Sequence, residues 1–241
     1  MLAARTAGAQ GAATPGMHQS GGFILSAERL FGLSFWSVNT QRDAQPGVPG
    51  ATPVDTTTSG TNISLLFGSN YTSDLGSLLP YTTPRLAFDF LPIESLTIGG
   101  SIGFLSSSGE VESSSGVTRD TATITAFALT PRVGYALMLT DGIYFWPRLG
   151  VTYFSLTATT NPQQPPPPAP PVVERSDTTN GFAINIEPAF VFSLVSHFGI
   201  SLTPVADIPL AGSNSEDPPD PPDSRIKVRN FGLTAGILGY F

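Results

Sequence analysis

The sequence predicts an all-β fold, an eight-stranded up-and-down antiparallel transmembrane β-barrel. Apolar residues alternate with small or polar residues along eight segments, as expected for strands with two different faces. Short and long connections alternate between these segments, which is typical of an outer-membrane barrel. The chain also contains 25 glycines and 23 prolines in 241 residues, a content that disfavours a helical bundle.

The eight predicted strands follow the alternation in chain order. They span 22–38, 81–91, 95–107, 121–138, 142–158, 180–194, 197–210 and 226–241. Long loops are predicted at 39–80, 108–120, 159–179 and 211–225. An even strand number places both termini on the side of the tight turns. The segment 61–67 inside the first long loop is a further strand candidate, and a partner within that loop would raise the count to ten.

The chain divides into a short N-terminal part and the barrel. Residues 1–21 are small and polar, without the apolar core of a signal peptide, and are either a disordered arm or a signal-peptide remnant. Residues 22–241 form the predicted barrel. The longest apolar run, Tyr135 to Leu139, has five residues, whereas a transmembrane helix needs roughly 20.

The two faces of the predicted strands distinguish a membrane barrel from a soluble one. In strand 180–194, Phe182 and Ile186 lie on one face, and Ala183 and Asn185 lie on the other. A soluble barrel would carry long charged side chains on its outer face. Here the polar face is mostly Gly, Ala, Ser, Thr and Asn, which suits the narrow interior of an eight-stranded barrel. The apolar face therefore meets lipid.

A set of charged residues shares the inward-facing parity. It consists of Glu28, Arg85, Asp89, Arg132, Arg148, Glu187 and Asp207. Because charges inside a protein must be paired or hydrated, we predict a salt-bridge network that closes the lumen. The alternative is scattered charges in a hydrated lumen. Arg29 has lipid-facing parity, so either a bulge shifts the first strand there or Glu28 and Arg29 lie near a membrane interface.

Three predicted strands share the pattern Pro-Arg-aliphatic, beginning at Pro84, Pro131 and Pro147. A fourth strand contains the pair Glu187-Pro188. Parity directs each of these arginines inward and each proline toward lipid. Because proline lacks a ladder donor, bulges or wide pairs are predicted at these positions.

The sequence offers little for catalysis, metals or nucleic acid. It has no cysteine, two histidines and a net charge of −7. His197 follows Ser196 directly, and neighbouring strand residues point to opposite sides, so no catalytic pair is predicted. The acidic residues near Glu216 are interleaved with prolines, and we interpret this segment as a solvated spacer and not as a calcium site. We predict no cofactor, no metal and no nucleic-acid partner.

The last strand ends in Leu-Gly-Tyr-Phe. Together with the eight strands and the short turns on one side, this end resembles small OmpA-like outer-membrane β-barrels. Its terminal aromatic residue and the apolar residues before it are similar to the assembly signal of that family: Phe231, Leu233, Ile237 and Phe241. The resemblance implies a Gram-negative outer membrane, passage through the periplasm and insertion by the barrel assembly machinery.

The sequence thus predicts a non-enzymatic outer-membrane protein with a structural, narrow-channel or surface-interaction role. Its expected partners are the lipid bilayer and, during biogenesis, the assembly machinery, and an extracellular partner is left open. Any specificity is expected in loops 39–80 and 159–179. Two alternatives remain at this point: a soluble, secreted lipocalin-like barrel that binds an apolar ligand, and a lipid-modifying barrel enzyme.

Overall fold

The computed structural model describes residues 16–44, 52–65, 81–112, 118–120, 122–160, 175–217 and 224–241. All regular secondary structure in these ranges is β-strand. The strands are β1 (Phe23–Arg42), β2 (Val54–Leu65), β3 (Arg85–Ile93), β4 (Leu96–Ser107), β5 (Glu110–Glu112), β6 (Thr118–Asp120), β7 (Thr123–Tyr135), β8 (Leu137–Thr140), β9 (Ile143–Thr160), β10 (Arg175–Val195), β11 (Phe198–Asp217) and β12 (Ser224–Tyr240). Within the described residues, no helix is long and apolar enough to cross a membrane.

Eight of these strands form a closed ring. β1 pairs antiparallel with β12 on one side and with β3 on the other. The ring continues through β4, β7, β9, β10 and β11, each antiparallel to its neighbours. Ala136 interrupts the chain between β7 and β8, and β8 then pairs with β9 as β7 does. The predicted eight-stranded antiparallel barrel is confirmed.

The strand candidate in the first long loop is real, but it does not enlarge the ring. It begins earlier than predicted, at Val54, and pairs with β1 from Phe31 to Arg42. β3 pairs with β1 only from Phe23 to Glu28, so β2 takes its place along the outer part of β1. β5 and β6 form a separate two-stranded sheet.

Several predicted loops are shorter than expected because the strands continue beyond the apolar pattern. β10 begins at Arg175 and β11 ends at Asp217, both inside predicted loops. Hydroxyl side chains join β9 to β10 in this region, with Thr157 Oγ1 3.2 Å from Thr178 Oγ1. A strand without an apolar face carries no period-2 signal, although its backbone pairs equally well. Residues 45–51, 66–80, 113–117, 161–174 and 218–223 of the predicted loops lie outside the described residues.

The barrel is apolar on its outside. Side chains predicted to face lipid are exposed, including Leu86 at 68 % and Phe104 at 66 %. Exposed apolar side chains continue around all eight ring strands, as in a barrel surrounded by hydrocarbon. A lipocalin-like barrel would point this face inward, so the soluble alternative is wrong. The chain is a transmembrane barrel of the outer-membrane type.

Three of the prolines at which bulges or wide pairs were predicted, Pro131, Pro147 and Pro188, cause no bulge. Pro147 and Pro188 face each other in the β9–β10 ladder without a register shift. Pro131 lies in a gap of the β7–β9 ladder between Leu129 and Arg132, and the register is the same on both sides of the gap. The ladder therefore tolerates the missing donors by leaving out pairs rather than by inserting residues.

Candidate functional site

Eight charged side chains cross the lumen in one layer, which we call the charge belt. Its members are Glu28, Arg29, Arg85, Asp89, Arg132, Arg148, Glu187 and Asp207, and none is more than 5 % exposed. Seven of these residues are the predicted lumen set. The belt contains four arginines and four carboxylates, so its formal charge is zero.

Arg29 enters the belt through a bulge in β1. Between Ala27 and Phe31, β1 advances by four residues while β12 advances by only two. Arg29 adopts a left-handed conformation there, with φ of 56°, and its side chain turns inward. The lipid-facing position given by simple parity is therefore wrong, and the bulge that the sequence analysis left open accounts for the change.

Arg132 is the most heavily paired member of the belt. Its Nη1 and Nη2 donate to the two carboxylate oxygens of Glu28 at 2.7 and 2.8 Å. Its Nε donates to Asp89 at 3.0 Å, and Nη2 also donates to Asp89 at 2.5 Å. A third carboxylate, that of Glu187, lies 3.5 Å from Nη1. One guanidinium thus binds carboxylates from three different strands.

The network continues from Glu28 across the lumen to Asp207. Arg148 forms an ion pair with Glu28 and donates from Nη2 to Glu187 at 2.9 Å. The Arg29 guanidinium lies 2.8 Å from the Glu187 carboxylate and 3.3 Å from the Asp207 carboxylate, and so links the two acids. Basic and acidic groups alternate along this path, so every carboxylate lies against at least one guanidinium.

The side-chain amides of two asparagines also form hydrogen bonds to the Asp207 carboxylate. Asn185 and Asn230 donate their side-chain amides to its two oxygens at 2.8 and 2.9 Å. Both asparagines lie on the inward faces of strands that flank β11 in the ring. Strand parity had placed them inside the barrel, but nothing in the sequence links them to Asp207, which lies 22 or 23 residues away.

Arg85 differs from the other arginines of the belt. It is 2 % exposed and has no carboxylate within ion-pair distance among the described residues. Its Nη1 donates to Thr130 Oγ1 at 2.7 Å, while Nε and Nη2 have no hydrogen-bond partner. Arg85 therefore balances the net charge of the belt without bridging its carboxylates.

Lumen-facing glycines give the guanidinium groups room. Gly99 on β4 lies in register with Asp89 on one side and with Arg132 on the other. A Cβ atom at Gly99 would come within 2.1 Å of the Phe88 carbonyl oxygen and 2.7 Å of Asp89 Oδ1. Gly150 separates Arg132 from Asn185 in the same way. The small residues of the inward face thus permit contacts between strands that are not neighbours.

Apolar layers cover the belt on both sides. On the periplasmic side, Trp146 is 1 % exposed, and the Arg148 guanidinium lies 4.4 Å from its ring centroid. On the outer side, Tyr81 packs edge-on against Phe154, with 5.2 Å between the ring centroids. The Tyr81 backbone carbonyl also accepts a hydrogen bond from Arg29. Because the belt is buried between these aromatic side chains, its charges lie in a medium of lower dielectric than bulk water, which strengthens their interactions.

The predicted assembly-signal residues lie on the outward face of the last strand. Phe231, Leu233 and Ile237 are exposed there, and Phe241 follows directly after β12. The Phe241 ring stacks on Phe23 with 5.1 Å between centroids. Phe23 and Phe241 also exchange two backbone hydrogen bonds of 2.9 Å, which close the ring at the termini.

His197, the only histidine within the barrel sequence, has a structural position. It lies in the β10–β11 turn with φ of 70°, and its Nδ1 is 2.9 Å from the carbonyl oxygen of Tyr240. Its ring stacks on Phe241 at 6.0 Å. No group of three or more potential metal ligands occurs among the residues that the structure describes. The main polar feature of the described interior is therefore the set of ion pairs in the charge belt.

Comparison with known proteins finds structural alignments but no sequence family. No family model matches the chain, and no curated protein matches it in sequence. Solved structures that align with it include the outer-membrane protein OprG of Pseudomonas aeruginosa, with 12 % identity, a TM-score of 0.48, and coverage of 93 % of this chain and 97 % of OprG.

Two further outer-membrane proteins align with the chain over most of its length. The protease OmpT of Escherichia coli has 10 % identity and a TM-score of 0.44, with 94 % of this chain and 99 % of OmpT covered. Ail, the attachment invasion locus protein of Yersinia pestis, has 11 % identity and a TM-score of 0.37, with coverage of 91 % and 99 %. One of these proteins is a protease and the other is not named as one, so the likeness assigns no activity to this chain.

Proposed function

We propose that this chain is a non-enzymatic outer-membrane barrel of the OmpA-like kind, with a structural and surface-presenting role and a lumen closed to solutes. The charge belt carries this proposal. A conducting barrel of this width would need a continuous hydrated path, whereas here alternating guanidinium and carboxylate groups fill the cross-section. Buried aromatic side chains next to the belt, Trp146 on one side and Tyr81 with Phe154 on the other, occupy further parts of the lumen.

The energetic character of the belt supports closure rather than selective transport. A buried guanidinium that contacts two or three carboxylates is held by charge-assisted hydrogen bonds of 2.5 to 3.0 Å. Removing one member of such a group leaves an uncompensated buried charge, which costs about 3–5 kcal/mol. Opening the lumen would require several of these contacts to break together. The belt therefore acts as a permanent plug that also ties six of the eight ring strands together.

The outward-facing part of the protein supports the surface role. β1 and β2, and likewise β9, β10 and β11, continue beyond the belt as strands of mainly polar residues. These extensions carry exposed ion pairs, such as Arg175 with Glu216 at 2.6 Å. The described residues of the predicted specificity loops 39–80 and 159–179 include parts of these strands, at 39–42, 54–65, 159–160 and 175–179. We propose the bilayer and the barrel assembly machinery as partners, the latter through Phe241 and the apolar residues before it.

Solute leakage from proteoliposomes tests the closed-lumen proposal. The wild-type protein should release no more of a small entrapped solute than protein-free vesicles do. The triple substitution of Arg85, Arg132 and Arg148 by alanine should increase leakage. A matched triple substitution of the exposed arginines Arg42, Arg175 and Arg225 by alanine removes the same charge and should leave leakage unchanged. Equal leakage from the two triple variants would contradict the proposal.

A further inference from the structure

The chain before the first strand enters the barrel at its periplasmic mouth. Residues 16–21 belong to the predicted disordered arm or signal-peptide remnant, and in the structure they contact the barrel wall. Met17 is 1 % exposed and belongs to a buried cluster with Ile24, Leu91, Tyr144, Trp146, Val191, Leu238 and Tyr240. These other members of the buried cluster come from five strands of the wall.

Backbone hydrogen bonds fix this segment to the wall. The Ser95 amide, in the β3–β4 turn, donates to the His18 carbonyl at 2.9 Å. The Gly21 amide donates to the Leu91 carbonyl at 2.7 Å. The His18 ring lies 6.2 Å from the Tyr144 ring. The segment is thus bound along its length and not only through Met17.

Two glycines allow the chain to turn from the segment into β1. Gly21 has φ of +79°, a conformation that side-chain-bearing residues rarely adopt. A Cβ atom at Gly22 would lie 2.8 Å from the Phe241 carbonyl oxygen and 3.1 Å from the Gln19 carbonyl oxygen. The Gly-Gly pair at 21–22 therefore places the preceding residues across the mouth, next to the pairing of Phe23 with Phe241.

We propose that the periplasmic mouth is an apolar binding site whose occupant is the chain's own segment 16–20, with Met17 as its anchor. The segment closes the mouth independently of the charge belt, so the lumen has two separate closures. Burial of one side chain and a few hydrogen bonds is similar in size to the entropy lost when five residues are ordered. The segment should therefore detach from the mouth more readily than the belt residues separate from one another, and we call residues 16–20 the stopper.

Thiol labelling of single-cysteine variants tests this proposal, because the wild-type chain contains no cysteine. Ala189→Cys places a probe within the Met17 cluster, and Ala183→Cys places one in the apolar layer beyond the belt. Both alanines are 0 % exposed. Each probe is combined with Met17→Asp, which expels the anchor, and with Met17→Leu, which keeps an apolar occupant. The readout is the rate of reaction of the folded, full-length protein in micelles with a charged maleimide.

If the stopper closes the mouth, Met17→Asp should increase the labelling rate of the Ala189→Cys probe by about tenfold or more. The maleimide can then reach the cysteine without waiting for the segment to detach. Met17→Leu should leave that rate unchanged, and the Ala183→Cys probe should stay protected in both backgrounds. An unchanged rate at Ala189→Cys in the Met17→Asp background would overturn the proposal. Faster labelling of both probes would also overturn it, since the two closures would then not be independent. The unboiled gel mobility of each variant reports whether the barrel is folded.

Discussion

Arg132 and Asp89 form a two-point ion pair although their strands are not neighbours. The Arg132 Nε and Nη2 atoms lie 3.0 and 2.5 Å from the two Asp89 oxygens, and β4 lies between their strands in the ring. The contact is possible because Gly99, the β4 residue between them, has no side chain. The contact shows how the interior is built: large charged side chains from strands that are not neighbours come into contact where the strand between them carries a glycine.

Arg132→Met is expected to destabilise the barrel by about 3–5 kcal/mol, because it leaves Glu28 and Asp89 without their main buried counter-charge. Unfolding in urea, with the protein folded in micelles, measures this loss. Arg175→Met is the matched control, since the Arg175 side chain is 53 % exposed and pairs with Glu216 outside the belt. The control should change stability by no more than about 1 kcal/mol. Equal losses for the two variants would mean that the belt contributes no more than a surface pair.

Arg85→Met is expected to cost far less than Arg132→Met, within about 1 kcal/mol of the wild-type protein. Arg85 makes one side-chain hydrogen bond, to Thr130, and its removal also removes the cost of burying a guanidinium with two unpartnered nitrogens. The same unfolding experiment compares the two variants directly. A loss at Arg85 as large as that at Arg132 would show that the net charge of the belt matters more than its individual contacts.

Gly99→Ala is expected to destabilise the barrel by about 1–3 kcal/mol through overpacking. The added Cβ would meet the Phe88 carbonyl oxygen at 2.1 Å, and that backbone cannot move without disturbing the β3–β4 ladder. Gly103→Ala on the same strand is the matched control, because its Cβ would have no neighbour closer than 3.3 Å. The measurement is again the midpoint of urea unfolding, and similar midpoints for the two variants would refute the role assigned to Gly99.

Ile102→Arg is expected to cost about 2–4 kcal/mol, the penalty for a charge on the lipid-facing surface within the membrane. Ile102 is 48 % exposed and faces outward from β4. Ile63→Arg is the control, since Ile63 is 66 % exposed on β2, in the outer extension. Folding yields and unfolding in lipid vesicles distinguish the two positions. Equal tolerance at both would place Ile102 outside the hydrocarbon region.

Phe241→Ser is expected to reduce the amount of assembled barrel in the outer membrane of cells while leaving refolding into micelles nearly unchanged. The phenyl ring stacks on Phe23, but the backbone pairing of residues 23 and 241 does not require it. The measurement is the heat-shifted gel band from isolated outer membranes compared with the band from refolded protein. Equal losses in both would indicate a role in stability rather than in assembly.

The sequence predicted the ring strands and their faces because both depend on local alternation. The two-residue parity of each strand was sufficient to place Arg85, Arg132 and Glu187 inside the barrel. It did not place Arg29, because the bulge after Ala27 depends on how β1 pairs with β12, which a single strand does not reveal. The strand extensions were missed for a related reason: polar residues on both faces leave no period.

Contacts across the lumen were also beyond sequence reasoning. Nothing in the sequence indicates that Tyr81 contacts Arg29 or that Met17 lies in one cluster with Trp146. Tyr81 was predicted to lie in strand 81–91, but β3 begins only at Arg85, and Met17 precedes the first strand. Two clues for Met17 were present, however. The Gly-Gly pair at 21–22 precedes the first strand, and Met17 is the single large apolar residue between Leu2 and Phe23.

Single-channel recording in planar bilayers tests the closed lumen most directly. If the charge belt closes the lumen as proposed, the wild-type barrel, inserted at high salt and held at either polarity, should show no discrete conductance steps above the baseline of the bilayer. Reproducible ohmic steps from the heat-modifiable, folded protein would contradict this account and establish the barrel as a channel.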